Sequence, residues 1–108
     1  MTSDPITESQ FRLEADRALE RLQHSLLPLA DAEGFEVELQ NGVLQVVFDE
    51  PSPAKFVVSP NAPVRQMWVS AMSRSYKLAW SPQSSSFELE GEPLNALIER
   101  LARAFLAG

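Results

Sequence analysis

This 108-residue chain predicts an α+β fold, a two-layer sandwich with two helices packed on one face of a mainly antiparallel sheet of about six strands. Three observations carry that expectation. Apolar residues recur at helical spacing near both ends of the chain, the spacing falls to two between them, and turn residues punctuate the middle at hairpin-like intervals. The order α-β-β-β-β-β-β-α places both helices on the same side of one sheet. A chain of this length supports a single core, so one domain is expected over residues 1–108, with residues 1–6 disordered.

The elements follow in order. Thr7-Glu8-Ser9-Gln10 has the spacing of a capping box, which starts a helix. Phe11, Ala15, Leu19, Leu22 and Leu26 then form one apolar stripe, predicting a helix over roughly residues 8–27. Pro28 lacks an amide hydrogen, so the helix is expected to stop or kink there, with Asp31 to Gly34 as a loop. Phe35, Val37 and Leu39 alternate with Glu36 and Glu38 in a first strand. Gln40-Asn41-Gly42 supplies a tight hairpin into a second strand, Val43 to Asp49. Phe56-Val57-Val58 is a third strand, and Pro60 and Pro63 bracket a turn. Residues 64–70, VRQMWVS, form the fourth; Tyr76, Leu78 and Trp80 the fifth; Phe87 and Leu89 a short sixth. Pro93 falls where a first helical residue is expected, and Leu94, Leu97, Ile98, Leu101 and Phe105 describe the closing helix.

Composition narrows the function classes. Fifteen acidic against nine basic residues give a net charge of −6, which repels phosphate backbones and anionic lipid, so neither nucleic acid nor membrane is expected as a partner. No apolar run reaches a membrane span, and MTSDPITESQ has neither a basic nor an apolar leader region, so a cytoplasmic protein is expected. The chain has no cysteine, and with it no disulfide, thiolate metal site or cysteine nucleophile. No phosphate-binding glycine loop and no serine-nucleophile motif is present, so a binding protein is expected rather than an enzyme.

Two surfaces stand out. Trp68 lies in phase with Gln66 and Ser70, on the polar side of its strand, away from Met67 and Val69. An aromatic ringed by uncharged polar groups on the face the helices leave open has hot-spot character; a covering loop or ordinary exposure would explain it equally well. Asp16, Glu20 and His24 are four apart on one stripe of the first helix, and Asp31, Glu33, Glu36 and Glu38 follow after it. Oxygen donors of this kind suit iron, manganese or calcium. A solvated helix face and a charged edge strand account for the same residues, with Arg12, Arg17 and Arg21 partly neutralising them.

Asn41-Gly42-Val43-Leu44, followed in order by Pro63-x-x-Gln66-Met67-Trp68-Val69-Ser70 and Tyr76, resembles the frataxin family, particularly its short bacterial members. The similarity runs from Ser9-x-Phe11 to Leu94-x-x-Leu97. It implies a regulator or iron donor in iron-sulfur cluster assembly that binds iron, Fe2+ or Fe3+, weakly through acids of the first helix and first strand. It also implies docking on the cysteine desulfurase and the scaffold protein, with Trp68 as anchor beside Gln66, Ser70 and Asn61. Glu36, Glu38 and Asp16 match acidic positions of the family. The sequence departs from it at the end of the first helix, where Gln23, His24, Leu27, Pro28 and Ala30 stand in a region the family fills with carboxylates. Ser73-Arg74-Ser75 replaces a glycine-rich turn, and Phe87 a tryptophan. A monomer is expected. The alternative on the residues alone is a small acidic chaperone or adaptor of the secretion-chaperone type, acting as a dimer.

Overall fold

The computed structural model describes residues 6–108. Helix α1 (Glu8–Glu33) opens on the anticipated capping box: the Gln10 amide donates to Thr7 Oγ1 at 3.1 Å, and Gln10 Oε1 accepts from the Thr7 amide at 3.2 Å. Ile6, expected in a disordered start, is instead half-buried against the core. It precedes the cap and Phe11 occupies the fourth helical position, the arrangement of a hydrophobic staple. The rest of that expected start, residues 1–5, lies outside the described residues.

The helix end differs from the expectation. α1 runs through Pro28 to Glu33, so Asp31 and Glu33 belong to its last turn and not to a loop. Pro28 is exposed, while Leu26 and Ala30 stay buried and Leu29 packs on the core, so the apolar stripe continues for another turn. Burial on that side outweighs the hydrogen bond Pro28 cannot donate to the His24 carbonyl. Gly34, at φ 82°, ends the helix in the left-handed conformation, its amide donating to the Ala30 carbonyl at 2.8 Å.

Seven strands follow, one more than the sequence suggested: β1 (Glu36–Gln40), β2 (Val43–Phe48), β3 (Ala54–Asn61), β4 (Gln66–Ala71), β5 (Arg74–Ser81), β6 (Ser86–Leu89) and β7 (Glu92–Pro93). They lie in one sheet in chain order, every neighbouring pair antiparallel. The added strand is two residues long, and Pro93 caps the final helix α2 (Leu94–Leu106) instead of opening it. β3 continues past Val58 through Pro60 to Asn61, and a 3-10 turn over Ala62–Val64 takes Val64 out of the fourth strand.

Both helices cover the same sheet face. Phe48 is enclosed by Phe35, Phe56 and Phe105, with ring centroids 4.9, 5.0 and 4.6 Å away. Phe87 meets Phe11 at 5.6 Å and Trp80 at 5.1 Å nearer the other end. No polar or charged side chain is buried among the described residues, so desolvated apolar area supplies the cohesion. The opposite sheet face carries no helix, and it holds the candidate site.

Candidate functional site

Strand alternation decides what reaches the open face. Met67, Val69 and Ala71 fill the core side of β4, which turns Gln66, Trp68 and Ser70 outward. Cross-strand register brings neighbours to the same side: Ser59 of β3 and Lys77 of β5 flank Trp68, Val57 and Ser75 flank Ser70, and Asn61 and Ala79 flank Gln66. All four residues proposed from the sequence for partner binding, Asn61, Gln66, Trp68 and Ser70, therefore share one central patch.

Trp68 is 37% exposed and held in place. Its indole Nε1–H donates to Gln66 Oε1 at 2.9 Å, and the Lys77 Nζ lies 4.9 Å from the ring centroid. Both contacts come from residues within the patch, leaving an ordered ring with an accessible edge. Fixing the rotamer before binding lowers the entropy lost on association. Sequence reading missed Lys77. The pairing follows from the two-residue hairpin at Met72–Ser73, a turn that the residue types themselves do not announce: in such a hairpin, residues equidistant from the turn pair, and Trp68 and Lys77 are equidistant.

The acidic residues separate into two groups. Asp16, Glu20 and His24 are exposed along the outer face of α1, with Asp31 and Glu33 exposed in its last turn. The last turn of α1 contains no basic residue, so these two carboxylates add to the negative end of the helix dipole. Glu36 and Glu38 are also exposed but belong elsewhere. Val37 and Leu39 pack toward the core, which turns the two glutamates onto the open sheet face opposite Val47 and Gln45. The seven residues named as possible iron ligands thus occupy a helix surface and a sheet surface. Among the described residues, no group of three or more His, Asp or Glu stands close enough to hold a metal ion. The donors present do not make a chelating site; they make an acidic edge.

The 3-10 turn, the β1–β2 hairpin and the start of α1 enclose a separate groove of about 420 Å³, where Arg12 and Asp16 face Asn41. Arg12 is engaged by Glu8 at 2.8 Å, which holds the Glu8 carboxyl below its ordinary range.

Comparison with known proteins places this architecture. Residues 4–107 match the Frataxin-like domain family. The chain belongs to the frataxin-like family. Among the relatives of this frataxin-like protein is the iron-sulfur cluster assembly protein CyaY of Cupriavidus pinatubonensis, 28% identical over 109 residues and covering 94% of this chain and 96% of the relative. The protein of the same description from Pseudomonas aeruginosa is 33% identical, covering 76% of this chain and 78% of the relative. That from Cupriavidus metallidurans is 31% identical over 67% of this chain, a match spanning 65% of the relative's length. A solved frataxin from Psychromonas ingrahamii superimposes with a TM-score of 0.61, covering 91% of this chain and 87% of that one at 14% identity, a likeness of fold.

Proposed function

We propose that this frataxin-like protein acts in iron-sulfur cluster assembly in the cytoplasm, as an iron-binding regulator or iron donor that docks on the cysteine desulfurase and the scaffold protein. Trp68 carries this reading. It is exposed, oriented by Gln66 and Lys77, and stands on a sheet face that both helices leave free, in a chain whose relatives are named as iron-sulfur cluster assembly proteins. Large aromatics fixed in this way are the usual energetic centre of an interface. Asn61, Gln66 and Ser70 supply the polar ring around it, and the acidic edge steers the protein toward a basic surface.

Iron enters as cargo. Asp16, Glu20, His24, Asp31, Glu33, Glu36 and Glu38 attract a hard cation weakly and do not enclose it. The same exposed helix stripe argues against an enzyme, because it neither excludes water nor fixes a substrate. The protein acts as a monomer, so light scattering is expected to return the mass of one chain; a stable dimer would favour the chaperone alternative.

Binding to a preformed desulfurase–scaffold complex, measured by calorimetry, tests the reading. Trp68→Ala is expected to weaken association by about 2 kcal/mol or more, roughly thirtyfold. In stopped-flow mixing, raising salt from about 0.05 to 0.5 M is expected to lower the association rate while changing the dissociation rate little. A folded Trp68→Ala protein that binds as tightly as the parent would remove Trp68 as anchor, and salt-independent rates would remove the steering.

A further inference from the structure

Beside Trp68 the open face carries a concavity of about 400 Å³, lined by Val57, Ser59, Ser70, Ser75 and Lys77 together with the indole. Its chemistry is uneven. Trp68 and Val57 give an apolar wall, three serine hydroxyls give small donors, and Lys77 provides a full positive charge. None of the ion pairs among the described residues involves Lys77. Glu88, on the neighbouring β6, is engaged by the Ser84 hydroxyl at 2.5 Å and the Ser86 hydroxyl at 3.1 Å. Glu36 and Glu38 lie on β1, four strands from Lys77, roughly 19 Å across the sheet. In a protein of net charge −6, an ammonium is thus displayed without a carboxylate partner, over the ring identified as the docking anchor.

We propose that this concavity seats an acidic–apolar segment of a protein partner. A partner carboxylate accepts from the Lys77 ammonium and the serine hydroxyls, and the apolar side chain beside it lies against Trp68 and Val57. Charge complementarity selects this occupant: a basic segment would meet Lys77 at close range, and a purely apolar one would bury the ammonium unpaired. The proposal rests on the docking reading above and refines it. The partner must offer a basic surface to the α1–β1 edge and an acidic element to the middle of the sheet, and that pair of requirements sets its orientation.

A blocked tetrapeptide, acetyl-Gly-Asp-Leu-Gly-amide, is a suitable probe, with its Asn counterpart as the neutral control. Added at millimolar concentration to the 15N-labelled full chain, the acidic peptide is expected to shift the Trp68 indole N–H and the amides of Ser70, Ser75 and Lys77. The Asn peptide should bind about tenfold more weakly, the scale of one charge-assisted hydrogen bond. Lys77→Met keeps the aliphatic stem over the ring and should lose the same factor, whereas Lys77→Arg should retain it. Equal binding of the two peptides, shifts located elsewhere, no shifts at all, or a Lys77→Met protein that responds as the parent would each overturn the proposal.

Affinity for the desulfurase–scaffold complex, measured on the same variants, separates the two claims. Binding that needs Trp68 but is indifferent to Lys77 leaves the docking reading standing and removes this one. Selective peptide binding without any affinity for the complex does the reverse.

Discussion

Two aromatic side chains of this protein stand in opposite physical settings, and truncating each distinguishes them. Phe48 is 1% exposed and touches three other rings, so Phe48→Ala removes buried area and leaves a cavity, at an expected cost of about 3–5 kcal/mol. That is a large part of the stability of a domain this size, and the urea midpoint of the variant should fall steeply. Trp68 is bigger, yet its ring is outside the core and its polar contacts are on the surface. Trp68→Ala is expected to move stability by less than about 1 kcal/mol. Urea denaturation of both variants checks the contrast, and a Trp68→Ala loss near that of Phe48→Ala would make Trp68 structural. The outward direction of Trp68 was legible from the alternation of Met67, Trp68 and Val69, because period two leaves no choice of side. Its restraint by Lys77 was not, since that contact depends on the register across a hairpin whose turn residues, Met72 and Ser73, carry no ordinary hairpin signal.

The elements themselves were legible wherever local chemistry and tertiary packing agree. The capping box, the Asn41-Gly42 hairpin and the alternating strands appear as expected. At Pro28 the two conflict, and packing prevails: a local rule ends the helix, while Leu26, Leu29 and Ala30 hold its last turns against the core. The proline still carries its intrinsic penalty in an exposed helix interior, so Pro28→Ala is expected to stabilise the protein by about 1–3 kcal/mol. A thermal midpoint at or below that of the parent would mean that Pro28 is favoured by some contact of its own. A second conflict lies in the β4–β5 hairpin, where Met72 and Ser73 hold φ of 52° and 64° without a glycine. Asn at 72 with Gly at 73 suits that backbone, as Asn41 and Gly42 do at φ 53° and 74° in the β1–β2 turn. The double change Met72→Asn with Ser73→Gly is expected to add roughly 1 kcal/mol, read as a rise in the thermal midpoint with the amide spectrum of β4 and β5 preserved.

At the scale of the molecule, the sandwich distributes charge in a way that a list of acidic residues cannot reveal. The sequence places Asp31, Glu33, Glu36 and Glu38 close together, and the reversal of the chain at Gly34 separates them. Asp31 and Glu33 remain on the helix layer while Glu36 and Glu38 turn to the open sheet face. The acidic residues were therefore legible in the sequence but their division between two surfaces was not, because the face a strand carboxylate takes is decided by which neighbours fill the core. This layout makes a specific expectation for iron. A chelating site loses its ion when one ligand is removed, whereas diffuse attraction weakens locally, on each surface in step with the charges removed from it. Ferrous iron added under anaerobic conditions, followed by paramagnetic broadening of amide signals, distinguishes the two. Asp16→Asn with Glu20→Gln, and separately Glu36→Gln with Glu38→Gln, should each reduce broadening only near the altered pair, and the four-fold variant should show the sum. Abolition of all broadening by either pair would reveal one shared site that the static geometry does not display. The apolar core closes without any metal ligand, so the thermal midpoint should be unchanged by a chelator, and a fall of several degrees would contradict a fold sustained by apolar burial alone.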